Sequence, residues 1–392
     1  MNKTHLVALV VASAIACLVA MNARAEVPNL PREQTVGDLE LVAAFEGPMP
    51  TGVTVSQQGR LFINFPRWGD AVEFTVAEVV DGSPVPYPNA DVNVADRENP
   101  ADSLLSVQSV VVDPQDRLWI LDTGSIEFQS TFFGGPKLVG VDLQQNRIFQ
   151  TILLPQDVAL PTTYLNDVRF DLRRGEAGMA FITDSSLTGP NGIIVVDLAS
   201  GRSWRRLDDH PSTKANPDFL PIVEGQPLMN RPQDGSPSRF QVGADGVAIS
   251  SDGSQLFYCA LSGRKLYSVS VEALVDETLS DEQVAATVRD FGAKGASDGL
   301  ESDTANRVYI TDYEHNAIRR RPGEGDPGSA ETLVHDPRVL WPDTLALASD
   351  GYLYFTANQL HRQPGFHNGT DLREKPYSLF RIQADAEPVQ LQ

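Results

Sequence analysis

The stretch that decides the fold runs from Ala296 to Ala317 and has the sequence ASDGLESDTANRVYITDYEHNA. It contains an acidic start at Asp298-Gly299, a short apolar strand, a tight turn, and a return strand that ends on Asp312. A two-stranded unit of this length cannot bury both of its faces. It therefore predicts neighbours of the same kind, packed side by side.

Six copies of this pattern occur along the chain. We call the residue that starts the first strand of each copy the lead residue, and the six lead residues are Thr51, Gln108, Asn166, Asp245, Asp298 and Asp343. Further strand-like segments follow each copy, which gives about four strands per unit, as in a propeller blade. The sequence therefore predicts an all-β fold, a six-bladed β-propeller.

The ends of the repeat predict how the ring closes. Leu39–Phe45 alternates like a strand, and we expect it to form the outer strand of the last blade beside Tyr377–Ile382, because closure removes an exposed edge. The propeller is then expected to span residues 39–392, after an extended arm at 26–38. Residues 205–243 interrupt the period with a long, polar, proline-rich loop, and loops of this length often bind ligands.

Residues 1–25 have the pattern of a secretory signal peptide. Lys3 precedes an apolar stretch, and Ala23-Arg24-Ala25 has the small-residue spacing of a cleavage site. The apolar stretch is short for a membrane span, which needs about 20 residues. We therefore expect a secreted or periplasmic protein, with a lipid anchor on Cys17 as the one route to a membrane.

The charge of the chain restricts its partners. With 31 basic and 52 acidic residues the formal net charge is −21, and loss of Lys3 and Arg24 with the signal gives −21 − 2 = −23. Such a surface repels nucleic acid and anionic lipid. We expect a monomer with a small-molecule ligand and no nucleic-acid partner. Cys259 would then be the sole cysteine, and its apolar strand predicts a buried residue rather than a nucleophile.

The lead residues are the candidate site. The innermost strands of a propeller line its central channel, so the lead residues are expected to meet at one mouth. Their oxygens suit Ca²⁺ and would equally suit an ammonium group. An Asp-Gly pair can also be only a turn, with its carboxylate bonded to nearby backbone N–H groups. These interpretations stay open at this point.

Catalysis at the mouth would need a general base. The candidates are Asp298 and Asp245 among the lead residues, and His315 just after the fifth return strand. A calcium centre would use Asn166, Asp245 and Asp298. The sequence has no zinc-hydrolase, P-loop or dinucleotide-binding motif. A G-x-S-x-G match at Gly295–Gly299 precedes a repeat strand instead of a strand-to-helix elbow, so it does not indicate a hydrolase serine.

Three motifs resemble the yellow/major royal jelly protein family. They are FINFPRW at Phe62–Trp68, RLWILDTG at Arg117–Gly124 and FTANQL at Phe355–Leu360. They are spread from the first copy to the sixth, and the short loops and export signal are similar to a bacterial, dopachrome tautomerase-related member. The family implies a secreted six-bladed propeller. The chain departs from the animal members in lacking their paired cysteines.

The resemblance also implies a small-molecule site at the channel mouth, for a catechol or indole-quinone or for an amine. By motif it assigns Thr356 and Asn358 to an amine-contacting strand, and Trp68 or Phe355 to an aromatic wall, where a cation gains ~1–2 kcal/mol. The full set of expected ligand contacts is Trp68, Gln108, Asp343, Phe355, Thr356 and Asn358.

Three functions remain open from the sequence. They are tautomerase-like proton transfer, amine binding without turnover, and calcium-dependent lactone hydrolysis. The last rests on a weaker resemblance to the gluconolactonase class, whose metal-binding glutamate starts blade one. This chain has Thr51 there. Calcium is thus the one cofactor that the sequence raises, and the enzyme class is either a tautomerase or a lactone hydrolase.

Overall fold

The structure, a computed structural model, describes residues 33–323 and 330–392. The expected signal peptide, Cys17 within it and most of the expected arm lie outside these residues. The described residues form 28 strands, of which 24 make six four-stranded antiparallel sheets arranged as propeller blades. The predicted all-β, six-bladed propeller is confirmed.

The first strand of the described residues, β1 (Glu40–Phe45), belongs to the last blade. Blades one to three follow in chain order, each made of four consecutive strands. These are β2 (Val53–Val55), β3 (Leu61–Asn64), β4 (Val76–Val80) and β5 (Ser83–Pro86); β6 (Val107–Val112), β7 (Arg117–Asp122), β8 (Lys137–Asp142) and β9 (Arg147–Leu153); and β10 (Leu165–Asp171), β11 (Met179–Asp184), β12 (Ile193–Asp197) and β13 (Ser203–Arg206).

An insertion separates blades three and four and carries two small hairpins. Its strands are β14 (Ile222–Val223), β15 (Gln226–Pro227), β16 (Met229–Asn230) and β17 (Ser238–Arg239). Blades four and five then consist of β18 (Ala244–Ile249), β19 (Gln255–Ala260), β20 (Lys265–Ser270) and β21 (Arg289–Ala293), and of β22 (Ser297–Ser302), β23 (Val308–Asp312), β24 (Ala317–Arg321) and β25 (Glu331–His335).

Blade six is formed from both ends of the propeller. Its strands are β26 (Pro342–Leu347), β27 (Tyr352–Ala357), β28 (Tyr377–Gln383) and the outer strand β1. Phe45 of β1 lies opposite Tyr377 of β28. This is the ring closure that the sequence predicts, and it ties the two ends of the propeller together in one sheet.

Helices are short and lie outside the sheets. They are α1 (Val271–Val275), α2 (Asp281–Ala285) and the 3₁₀ turns Asp91–Asn93, Leu360–Arg362 and Pro364–Phe366. Among the described residues, none of the helices has the length and hydrophobicity that crossing a bilayer requires.

The core consists of apolar layers between neighbouring blades, because alternate residues of a strand face opposite sides of its sheet. In β27, Leu353, Phe355 and Ala357 pack against blade five, whereas Tyr354 packs against blade one. Cys259 is buried in the layer between blades four and five, as predicted.

The innermost strands approach one another closely at their lead residues. A Cβ atom on Gly246 would lie 2.3 Å from the carbonyl oxygen of Asp298, and one on Gly299 would lie 2.4 Å from that of Asp343. No side chain fits at such distances, so both positions require glycine. The Asp-Gly pairs at 245–246 and 298–299 therefore allow neighbouring blades to pack closely, and they lie in strands instead of turns.

The opposite end of the channel is crossed by the C-terminal residues. Asp303 forms a bridge with Pro388, and the Leu172 N–H donates to the carbonyl of Leu391 at 2.8 Å. Leu391 is buried between blades three and four. Pro388, Val389 and Gln390 thus line a smaller cavity at this end, together with residues of all six inner strands, and the lead residues lie at the other end.

Closure by β1 leads to a prediction about stability. Phe45 is 2% exposed and packs on Phe65, with ring centroids 5.8 Å apart. We expect Phe45→Ala to destabilise the protein by about 3–5 kcal/mol, because it leaves a cavity between blades six and one. Leu41→Ala is the control, since Leu41 lies on the same strand and is 58% exposed. Chemical denaturation would measure both, and equal effects would contradict closure by buried packing.

Candidate active site

Five of the six lead residues line one cavity at the mouth of the channel. The cavity has a volume of about 410 Å³, and its lead residues are Gln108, Asn166, Asp245, Asp298 and Asp343. The exception is Thr51, which is fully buried. Its hydroxyl donates to the Gln108 carbonyl at 3.0 Å and accepts from Asn64 Nδ2 at 2.8 Å. Blade one therefore contributes a structural hydrogen bond at this position.

Local irregularities turn the lead residues towards the cavity. The pairing of the first two strands shifts register at the start of the inner strand in blades two to six, between the positions 107/109, 165/168, 244/247, 297/300 and 342/345. The corresponding pair in blade one is regular. A β-bulge bends a strand and redirects its side chains. The five bulged blades are the five whose lead residues line the cavity.

Asp245 and Asp298 form a hydrogen-bonded carboxyl pair on the floor of the cavity. Both are nearly inaccessible, at 4% and 6% exposed. Burial and then the neighbouring Asp298 charge raise the pKa of Asp245 well above its usual value. Burial also raises the pKa of Asp298, to about 6, against hydrogen bonds from Asp245 and Trp341 that lower it. The pair therefore shares a proton near neutral pH.

Asp343 adds a third buried carboxyl group. Burial, followed by repulsion from Asp298, raises its pKa well above the usual value, while a hydrogen bond from Asn358 opposes the rise. That bond runs from Asn358 Nδ2 to Asp343 Oδ2 at 2.7 Å. The floor therefore carries more carboxyl groups than it can ionise without a cation.

Each carboxyl group has its own hydrogen-bond partner. Ser185 Oγ lies 3.0 Å from Asp245 Oδ2, and Trp341 Nε1 donates to Asp298 Oδ2 at 2.7 Å. Asn166 Nδ2 donates to the same serine hydroxyl at 2.7 Å. These side-chain hydrogen bonds thus fix the positions of the carboxyl groups on the floor.

An aromatic wall rises from one side of the floor. Trp68 Nε1 donates to the Tyr164 hydroxyl at 2.6 Å, and that hydroxyl donates to Gln108 Oε1 at 3.1 Å. Phe128 stacks on Trp68 with ring centroids 5.3 Å apart and lies 5.2 Å from Tyr164. All three rings line the cavity. They present aromatic faces beside the carboxyl groups.

The insertion of residues 205–243 covers the other side. Phe240 lines the cavity and packs edge-on against Phe366 of the blade-six loop, at 5.4 Å. Glu224 of the insertion accepts hydrogen bonds from His361 Nε2 at 2.7 Å and Arg362 Nη2 at 2.5 Å. The long loop that the sequence singles out therefore forms a packed roof and contributes part of the cavity wall.

Four predicted site residues do not line the cavity, namely His315, Phe355, Thr356 and Asn358. His315 lies on an exposed turn, where Nδ1 is 2.8 Å from Asp312 Oδ1, because the turn after a second strand leads outward to the third. Phe355 is buried between blades five and six. Thr356 is fully buried and donates to the Thr51 carbonyl at 2.6 Å. The structure therefore places the predicted base His315 and the alternative wall residue Phe355 outside the cavity lining.

Asn358 acts through another residue. It lies behind Asp343 and also donates to the Pro50 carbonyl at 3.0 Å. Of the predicted ligand contacts, the cavity is lined by Trp68, Gln108 and Asp343.

Several site residues are missing from the sequence-based prediction. Tyr164 and Trp341 each stand two positions before a lead residue, Asn166 and Asp343, so an aromatic residue at that position was an available signal. Phe128 lies in a loop outside the repeat, and nothing in the pattern indicates it. Contacts that depend on loop packing leave no periodic trace in a sequence.

The residues do not fit a calcium centre of the lactonase kind. The expected donors Asn166, Asp245 and Asp298 are present, but two of them are hydrogen-bonded to each other and blade one supplies Thr51 in place of an acid. Across residues 33–323 and 330–392, no group of three or more His, Cys, Asp or Glu side chains has a metal-holding arrangement. We therefore derive no chemistry through a metal.

Comparison with known proteins gives relatives of two kinds. Protein yellow of Drosophila erecta is 28% identical over 270 residues, which cover 64% of this chain and 46% of that protein, and Protein yellow of Drosophila melanogaster gives the same values. The chain thus spans about half the length of these curated relatives.

The solved structures share the fold. The calcium-binding protein regucalcin from Agrobacterium tumefaciens superposes with a TM-score of 0.51 at 13% identity, over 89% of this chain and 97% of that one. A luciferin-regenerating enzyme gives a TM-score of 0.52 at 10% identity, over 92% and 100%. At such low identity these likenesses concern the propeller alone.

The family model described as Major royal jelly protein matches residues 105–387. The match runs from the start of blade two to the end of blade six and takes in the carboxyl floor, the Tyr164 side of the aromatic wall and the insertion. Because it spans more than half of the chain, this protein belongs to the major royal jelly protein family.

Proposed function

We propose that this protein binds a small aromatic molecule that carries a protonated amine. The observation that carries the proposal is the buried floor of Asp245, Asp298 and Asp343 beneath an aromatic wall. Among the described residues that line the cavity, the one basic side chain is Arg239, which is exposed. A cationic ligand would supply the positive charge that the floor lacks.

The size and chemistry of the cavity support this ligand class. About 410 Å³ accommodates a molecule with one or two rings. An ammonium group near Trp68 or Tyr164 gains up to ~2 kcal/mol from the aromatic face when water is excluded. The net charge of −21 also attracts cations to the surface before they enter.

A second function, proton transfer on the bound aromatic, is favoured by the pKa of Asp298. A general base works best when its pKa lies near the working pH, and that of Asp298 is about 6. Ionised Asp298 would remove a proton from a ring carbon while protonated Asp245 gives its proton to a quinone oxygen. One C–H bond breaks, one O–H bond forms, and the proton returns to Asp245 across the hydrogen-bonded pair. This is the tautomerase-like step.

Dopamine is a direct probe of the amine proposal. Because its ammonium group complements the floor, we expect it to bind at least tenfold more tightly than 3,4-dihydroxyphenylacetate, which has the same ring and a carboxylate. Isothermal titration calorimetry at pH 7.5 would measure both. Equal affinities, or a loss of dopamine binding on adding EDTA, would contradict the proposal.

The same binding should depend on pH through Asp298. Since this carboxyl ionises above about pH 6, dopamine affinity should rise from pH 5 to pH 7 and then level off. Asp298→Asn should lose about tenfold or more in affinity at pH 7.5 and should also lose the rise. Asp102→Asn, at an exposed position, should match the wild type.

The raised pKa of Asp298 also predicts a cost in stability. The fold favours the protonated form, so the stabilisation is complete below the unfolded pKa near 4 and is lost as the pH rises through about 6. Asp298→Asn should therefore raise the melting temperature by a few °C at pH 7.5, and by less at pH 5. A variant that is destabilised at pH 7.5 by scanning calorimetry would contradict burial of the charge.

Proton transfer is tested with dopachrome. If Asp298 is the base, dopachrome loss should follow an ionisation near pH 6, and Asp298→Asn should slow it by about 10² or more. Absorbance decay measures the rate. A rate equal to the buffer control would leave binding as the function, and calcium-dependent hydrolysis of an aldonolactone would overturn both proposals in favour of the lactonase.

A further inference from the structure

We infer that Trp341 is a positioning residue that keeps the negative charge of the carboxyl pair on Asp298 and leaves the shared proton on Asp245. The inference deepens the proposed function, on which it rests, because it assigns the two carboxyl groups different roles. Asp298 becomes the partner of the ligand's ammonium group or the base, and Asp245 becomes the acid.

The hydrogen bonds of the two groups are unequal. Trp341 Nε1 lies 2.7 Å from Asp298 Oδ2, and an indole N–H can only donate. It therefore favours an ionised acceptor. Asp245 instead meets the Ser185 hydroxyl, which can donate or accept, and this hydroxyl also lies 2.8 Å from the Ala244 carbonyl. With its hydrogen directed to that carbonyl, Ser185 gives Asp245 no donor that would favour its ionised form.

The indole is held in place by two stacked rings. It is fully buried and stacks on Tyr313, with ring centroids 4.1 Å apart and planes at 11°, and on His361 at 5.9 Å and 19°. The Tyr313 hydroxyl donates to the Leu261 carbonyl at 2.8 Å. The ring cannot turn its N–H away from Asp298 without breaking this stack.

The backbone of Trp341 points to the same role. Its φ is +54°, a left-handed conformation that is rare for a bulky residue and costs of order 1–3 kcal/mol. The surroundings maintain it, since the Asn358 N–H donates to the Trp341 carbonyl at 3.2 Å and the Gln359 N–H to that of Leu340 at 3.0 Å. Strain of this kind concentrates at functional sites. Here it occurs in the residue whose indole N–H donates to a carboxyl group of the cavity.

Among the charges around Asp298, that of Lys294 also lowers the pKa of this carboxyl group, but it acts without a direct hydrogen bond to it. The titratable and charged groups that face it are Asp167, Asp245, Lys294, Tyr313 and Asp343. Lys294 Nζ is engaged by Ser297 Oγ at 2.5 Å and the Gly295 carbonyl at 3.0 Å. Apart from its carboxyl partner Asp245, Trp341 is the one side-chain donor with a direct hydrogen bond to Asp298 in the described part of the chain.

The test compares Trp341→Phe with Trp204→Phe. Both substitutions remove one indole N–H. Trp204 lies on the outer strand of blade three, away from the cavity, and donates to the Leu274 carbonyl at 2.9 Å. In ligand-free protein, the infrared carboxyl band that disappears in Asp298→Asn reports the ionisation of Asp298. We expect its midpoint to rise from about 6 by roughly one pH unit in Trp341→Phe. It should not move in Trp204→Phe, and an unmoved midpoint in Trp341→Phe would overturn the inference.

A second measurement needs no tryptophan variant. In wild-type protein with ¹⁵N-labelled indoles, the Trp341 Nε1–H resonance should shift with a midpoint near pH 6, and that of Trp204 should stay constant. In Asp298→Asn the shift should vanish. If it persists, His361 is the group that titrates and the inference is wrong. Because neither experiment uses a ligand, failure to bind dopamine would refute the proposed function and leave this result standing.

Discussion

The close approach of neighbouring inner strands at their lead residues is the constraint on which the site depends. At Gly246 and Gly299 the backbone of the next blade lies too near for any side chain. This contact draws the strand starts of blades four, five and six together. The aspartates beside these glycines then converge on one floor, where burial and mutual repulsion make them hold protons that isolated aspartates would release. Backbone packing is thus the origin of the electrostatics of the site.

Desolvation of that floor depends on two elements outside the repeat. The aromatic wall of Trp68, Phe128 and Tyr164 covers one side, and the insertion covers the other with Phe240. Glu224 fixes the insertion to blade six, because its carboxylate accepts hydrogen bonds from His361 and Arg362. These contacts, chiefly the one with Arg362, lower the pKa of Glu224 to about 2. A floor open to water would keep ordinary pKa values, so the roof is as much a part of the chemistry as the carboxyl groups.

The site also carries costs that the fold does not need for its own stability. Raised carboxyl pKa values oppose folding at neutral pH, and the left-handed backbone of Trp341 adds strain. Both costs fall on the two residues of one hydrogen bond, from Trp341 to Asp298. This distinguishes the contact between blades five and six from the rest of the ring. The likeness to regucalcin concerns the propeller alone, and Thr51 marks where this floor departs from the donor set expected of a calcium-dependent lactonase.

The sequence by itself determined the architecture and the acidic floor. Six copies of one strand pattern specify six blades, because each pair needs neighbours to bury its faces, and the register of the copies identifies five residues of the cavity. The tertiary structure alone decided which other groups meet them. The alternation of side chains along β27 places Phe355 in a core layer, and His315 lies on a turn that leads away from the channel. Phe128 and the insertion reach the channel mouth from outside the repeat. Such contacts join residues far apart in the chain, so no local period records them. The partner of each carboxyl group, and with it the place of the shared proton, is therefore a property of the packed molecule.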